Sequence, residues 1–258
     1  MEEFKIVLIG AGNLATQLAV ACSKEKLDIN QIYSRTKDSA KTLADLCNSE
    51  YTTDLVSIKK DADLYIYAVT DNALSEIIPL INTKHGLHVH TAGSIPITIF
   101  KDFQENYGSF YPFQTFSKQR SVDFRKIPIL IEANNETNAL FLENLGKKLS
   151  HQVIRCSSDQ RKAVHLSGVF ACNFTNHMYS IAEGILKKAN VPFEILQALI
   201  DETATKTQQL SPKDAQTGPA VRYDTSIIDK HIEALKDMPA EQELYKAISK
   251  NIHEYGKF

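Results

Sequence analysis

Tryptophan is absent from the 258 residues, and the four cysteines, Cys22, Cys47, Cys156 and Cys172, are scattered without any C-x-x-C spacing. That scatter argues against a zinc site and against a disulfide framework, and it fits a reducing compartment. No run approaches the roughly 18 apolar residues of a membrane span, and the N-terminus enters a strand at once with no signal-peptide pattern. A block of like charge is missing too: 29 Lys and Arg against 31 Asp and Glu give a formal net charge of −2. The basic footprint of a nucleic-acid binder is therefore lacking. These absences leave a cytoplasmic protein with a small-molecule partner, no nucleic acid and no membrane. A 43% hydrophobic content over this length can bury a real core, at a size where single cores tend to split, so two domains are expected.

What is present begins at the N-terminus. The run Phe4-Lys5-Ile6-Val7-Leu8-Ile9 breaks into Gly10-Ala11-Gly12-Asn13-Leu14-Ala15, a G-x-G-x-x-A turn, and continues with helical spacing. In a dinucleotide-binding fold Gly10 permits the turn and Gly12 lets a pyrophosphate approach the backbone. Ala15 lets the helix pack closely on the strand. The free N–H groups of that helix start, at Asn13 and Leu14, would hold the phosphates. Glycine turns also end strands for purely structural reasons; position after the first strand and before a helix favours the nucleotide. About 20 residues further on, such folds place an acid that binds the ribose 2′-hydroxyl of NAD. Here the second strand, Asp28 to Tyr33, is followed by Ser34-Arg35-Thr36-Lys37. Hydroxyls and a guanidinium suit a 2′-phosphate, so NADP(H) is preferred over NAD(H). The plainer alternative makes Thr36 a helix cap and Arg35 a solvated charge.

Strand-like and helical segments alternate from residue 4 to residue 155, which predicts a doubly wound α/β sheet. Ligands in such sheets lie beyond the carboxyl ends of strands. That places Val69 and Thr70, after the run from Leu64, against the cofactor, with Asp71 as a helix N-cap. After Leu87-His88-Val89-His90, the small residues Thr91-Ala92-Gly93-Ser94 let backbone at Gly93 approach the nicotinamide, while Ser94 or Thr91 can hydrogen-bond substrate. His88 and His90 share a face, as surface or internally satisfied side chains. In the aromatic strand expected over 109–116, Tyr111 and Gln114 are the polar exceptions. From Cys156 the pattern is helical only: one long helix over 160–188, another from Pro192 to about Leu210, a loop over 213–224, and two last helices. The expected division is 1–155, a dinucleotide-binding domain, and 156–258, a helical substrate and dimerisation domain.

Hydride transfer belongs to the cofactor, so the protein need only orient substrate and manage a proton. His165 lies in the apolar first half of the long helix, and Cys172 and Asn176 fall within about 20° of it at 100° per residue, with Asn173 about 80° round. Such a polar line can border a cleft, with His165 as proton donor; a core histidine bonded to a carbonyl is the competing account. Arg222, after Gly218-Pro219 in the late loop, can clamp a carboxylate, or it forms a surface ion pair.

Gly10-x-Gly12-x-x-Ala15, Ser34-Arg35-Thr36, Val69-Thr70-Asp71-Asn72, His90 to Ser94, Tyr111-Pro112-x-Gln114-Thr115-Phe116, the stretch from His165 to Asn176, and Thr217-Gly218-Pro219-Ala220-x-Arg222-x-Asp224 together resemble a family of NADP oxidoreductases. That family joins a Rossmann domain to a helical domain of unknown function, and the resemblance covers nearly the whole chain. It implies NADP(H) and, with the long helix, a homodimer, but no particular substrate. More distantly the chain is similar to pyrroline-5-carboxylate reductases. Those carry S-P-G-G-T-T, whereas Ser211-Pro212 here is followed only at a distance by Thr217-Gly218-Pro219. The Lys-x-x-x-Asn pair of β-hydroxyacid dehydrogenases is missing as well, because Lys162 has Leu166 at that offset. The leading expectation is an NADP(H)-dependent reductase of a small, anionic carbonyl or imine at a cleft between the domains. Hydride would arrive beyond Val69 and Gly93, with His165 as general acid, Asn173 as orienting amide and Arg222 as anion clamp. The other expectation is a nucleotide-binding sensor or scaffold that keeps the fold without catalysis.

Overall fold

The computed structural model describes residues 4–81, 83 and 85–255. The chain divides into two compact units, Met1–Cys172 and Asn173–Phe258.

The first unit is built on eight strands: β1 (Lys5–Ile9), β2 (Asp28–Tyr33), β3 (Glu50–Thr52), β4 (Leu64–Tyr67), β5 (Leu87–His90), β6 (Tyr107–Pro112), β7 (Ile129–Ala133) and β8 (Val153–Arg155). Their order is β3-β2-β1-β4-β5-β6-β7-β8. All neighbours run parallel except β6 and β7. The order reverses between β1 and β4, so the crevice above their carboxyl ends is the switch point of a doubly wound Rossmann sheet. The central strands are apolar on both faces, as parallel strands covered by helices must be. Ile6, Leu8, Ile66 and Val89 join Leu18 of α1 (Asn13–Lys24) and Leu43 of α2 (Lys37–Cys47) on one side. Val7, Ile9, Tyr65 and Tyr67 join Leu74 and Ile77 of α3 (Asp71–Ile77) and Phe100 on the other. Leu142, Leu145 and Leu149 of α4 (Glu136–Leu149) extend the first layer.

The aromatic strand stops at Pro112, four residues before the predicted end. Phe113 still donates its N–H to Pro128 at 2.8 Å, and then Gln114 folds back to accept from the Thr115 N–H, which ends the ladder. The long helix begins at α5 (Ser158–Gly168) with a capping box in which Ser157 and Gln160 satisfy each other's backbone N–H groups. It then passes through a π-helical stretch, Val169–Phe174, into α6 (Thr175–Lys188). The wider i→i+5 turns there change the phase, so the 100° count from His165 to Asn176 does not carry across it.

The second unit is helical, with no strand among its described residues. The helix expected from Pro192 opens as a 3-10 turn and becomes α7 (Gln197–Lys206). The expected loop over 213–224 contains two single turns, α8 (Pro212–Ala215) and α9 (Pro219–Arg222), with Gly218 and Tyr223 in left-handed backbone at φ 106° and 53°. Helices α10 (Thr225–Ala234) and α11 (Pro239–Tyr255) complete it and pack on α9.

Candidate active site

The switch point is opened by a glycine that no other residue replaces cheaply. Gly10 sits at φ 124°, and a Cβ there would lie 2.2 Å from the Ala68 carbonyl oxygen. Gly12 is the opposite case: it is the N-cap of α1, and a Cβ there would meet nothing within 4 Å. No side chain caps the helix and its first turn carries no acid. Backbone donors and a positive dipole end therefore face open space, which fits a pyrophosphate.

One pocket of about 520 Å³ runs from this turn across the strand ends. Its lining includes Gly10, Gly12, Asn13, Leu14, Ser34, Arg35, Thr36, Val69, Thr70, Gly93 and His165, eleven of the positions singled out from the sequence. Arg35 is exposed and its guanidinium makes no hydrogen bond or ion pair with the described residues. Thr36 stands at the N-cap position of α2, where the capping alternative puts it, but its hydroxyl makes no capping bond. Ser39, one turn into α2, also lines this wall; it went unnoticed in the sequence, although its i+3 spacing from Thr36 on a predicted helix was a usable signal.

The N-cap position of α3 belongs to Thr70, not to Asp71 as expected. Asp71 is the first helical residue, and its carboxylate accepts the Ser94 hydroxyl. Ser94 is not among the residues lining the pocket; it is tied to the pocket through Asp71, which does line it. Gly93 has a different constraint: a Cβ there would come within 2.5 Å of Cγ and Nδ1 of His165. The histidine ring thus lies directly on the backbone after β5. Tyr111 meets it from β6, with its hydroxyl 3.0 Å from His165 Nδ1 and the rings edge to face, 6.1 Å apart at 66°.

Arg161 was missed in the sequence. It is the largest wholly buried side chain, one turn before His165 on α5, and only the fold reveals its burial. Its Nε donates to Ala92 O at 3.2 Å, one terminal nitrogen to Ile95 O at 2.6 Å and the other to the Glu132 carboxylate. Ser158 joins the same carboxylate at 2.7 Å. A buried cation persists only with such complete pairing. The helix bearing His165 is thereby bolted to the Ala92–Ile95 loop and to β7.

His88 and His90 are core residues. The His88 ring nitrogens meet Tyr67 at 3.0 Å and Thr83 at 2.7 Å, and burial lowers its pKa to about 3. His90, stacked on Phe100, is lowered to about 3 by burial and by the charge of Arg161. Gln114 is exposed. Asn173 and Arg222 belong to the second unit, and both are exposed.

Sheet, glycine turn and pocket define a protein of the dinucleotide-binding Rossmann class. The family described as coenzyme F420-dependent NADP oxidoreductase matches residues 5–91, and a domain of unknown function matches residues 127–252. A "putative NADP oxidoreductase" from Bacteroides fragilis is 50% identical, covering 98% of this chain and 99% of that one, with a TM-score of 0.93. The chain therefore belongs to this family of NADP oxidoreductases with a helical C-terminal domain. Two more distant solved structures share the fold. A pyrroline-5-carboxylate reductase from Coxiella burnetii has 17% identity, 99% and 98% coverage and a TM-score of 0.61. An imine reductase from Myxococcus stipitatus in complex with NADP+ has 14% identity, 98% and 93% coverage and a TM-score of 0.66. No curated protein matches the chain. No helix among the described residues is long and apolar enough to cross a membrane.

Proposed function

We propose that this protein is an NADP(H)-dependent reductase of a small, anionic carbonyl or imine compound. The observation that carries the cofactor choice is the wall of Ser34, Arg35, Thr36 and Ser39, which offers hydroxyls and a free guanidinium where an NAD site needs a carboxylate. The α1 N-terminus at Gly12, Asn13 and Leu14 would hold the pyrophosphate, and Val69, Thr70 and Gly93 would border the nicotinamide. The bound cofactor supplies hydride. His165 then gives a proton to the heteroatom of the substrate, and Ser94, whose hydroxyl proton goes to Asp71, has its oxygen left to accept a hydrogen bond from the substrate. Asn173 as orienting amide and Arg222 as anion clamp complete the assignment. The two reductases that share the fold act on imine-type bonds by their names, which supports this substrate class.

The test is a titration with NADPH and NADH followed by nicotinamide fluorescence, unobscured because the chain has no tryptophan. NADPH oxidation over keto acids and cyclic imines comes next. Tight NADPH binding with turnover that His165→Ala, Arg222→Ala and Asn173→Ala each diminish is expected. Binding without turnover over the whole panel would leave a nucleotide sensor, and no binding would end the reading. A cytoplasmic homodimer is part of the proposal: Ile195 and Leu199 of the helical unit are 65% and 63% exposed, apolar surface of the kind subunits cover. Light scattering should give twice the chain mass.

A further inference from the structure

The Tyr111 contact has no part in the scheme above, yet the pocket is shaped around it. Tyr111 lies in β6 and His165 in α5, 54 residues apart, and their polar atoms meet at 3.0 Å. His165 is confined on its other sides. Gly93 backs Cγ and Nδ1 so closely that no Cβ fits between, and Arg161 anchors the helix one turn earlier. Nδ1 is therefore engaged, whereas Nε2 has no partner among the described residues.

A neutral imidazole carries one proton, on either nitrogen. Burial pushes the Tyr111 hydroxyl above the ordinary phenol range, with Arg161 opposing and Asp71 reinforcing. The phenol thus stays protonated at neutral pH, and its hydroxyl meets the neutral ring in either tautomer, donating to a bare Nδ1 or accepting from Nδ1–H. When the ring is charged, Nδ1–H donates to the phenol oxygen. Either way the ring does not turn.

We propose that Tyr111 is the positioning residue of His165: it holds Nδ1 in both protonation states and keeps Nε2 for the substrate. This rests on His165 as the proton donor. In the reductive step Nε2–H of the charged ring would pass its proton to the substrate nitrogen or oxygen as hydride reaches the adjacent carbon, leaving a neutral ring whose Nδ1–H donates to the Tyr111 oxygen until solvent returns a proton to Nε2. Phenylalanine at 111 keeps the ring packing and removes only the hydroxyl.

The experiment is ¹⁵N NMR of the histidine rings in the full chain without cofactor, comparing the parent with Tyr111→Phe and assigning the signal with His165→Gln. Expected are a hydrogen-bonded Nδ1 in the parent and loss of that Nδ1 signature in the variant. NADPH affinity should stay within about twofold, while kcat falls about 10- to 100-fold at little-changed KM, the scale of a misplaced catalytic group. An unchanged Nδ1 signal in Tyr111→Phe overturns the assignment. The spectrum needs neither cofactor nor substrate. Hence a Tyr111-dependent Nδ1 signature without NADPH turnover supports the role of Tyr111 while refuting the reductase reading.

Discussion

The two units solve burial differently. In the sheet unit strands, helices and even a charged guanidinium vanish from solvent, whereas only Ala220, Ile228 and Ser249 are buried among the described residues of the helical unit. Apolar side chains such as Ile195, Leu199 and Leu210 stand open on its helices. The sheet unit completes its own core, and the helical unit carries surface that its own residues do not cover. The pocket is built from the same unit, on fixed backbone, but it leaves donors such as the Arg35 guanidinium and the Thr36 hydroxyl without partners among the described residues.

If the sheet unit is self-contained, its buried charge is where it breaks most easily. Arg161→Met strips Glu132 of its cation and leaves the Ala92 and Ile95 carbonyls without their donor. Urea unfolding should show a loss of about 3–5 kcal/mol, the usual cost of breaking a buried pair. Acid exposes the same completeness. His88 and His90 fold with pKa values near 3, below the ordinary histidine value, so the unfolded chain binds the extra protons first. Stability is full at neutral pH and falls from about pH 6.5 towards pH 3, by about 1.4 kcal/mol per pH unit for each histidine. Denaturation series over that window, with His90→Phe flattening the slope, check this.

Gly93→Ala probes the pocket rather than the core. The added methyl must displace the His165 ring, so turnover should drop about 100-fold while NADPH still binds. Arg35→Ala should weaken NADPH about tenfold, about 1.4 kcal/mol, and leave NADH unchanged in parallel fluorescence titrations. Smallest of all in stability is Leu199→Glu in the helical unit, within about 0.5 kcal/mol for an exposed site. If the chain forms the homodimer proposed, the same variant should shift it towards monomer in light scattering, and an unmoved mass would take Leu199 out of the proposed interface.

The sheet unit was the more legible in the sequence for the same reason. Its turn glycines, unbroken strands and missing acid after Tyr33 are local patterns, and the pocket is lined where they point. Arg161 was not legible, because a lone arginine on a helix looks solvated until the fold closes over it. Nor was the link of Tyr111 to His165, a contact between elements far apart in the chain. The π stretch from Val169 to Phe174 escaped because a change of phase leaves the apolar pattern intact on either side.

Arg161 also has a bearing on motion. Because it grips Ala92 and Ile95 from the helix that carries His165, the loop around Gly93 and that helix form one rigid piece. A ligand that pushes on Gly93 moves His165 with it, so the spacing between that backbone and the imidazole is preserved however the pocket breathes.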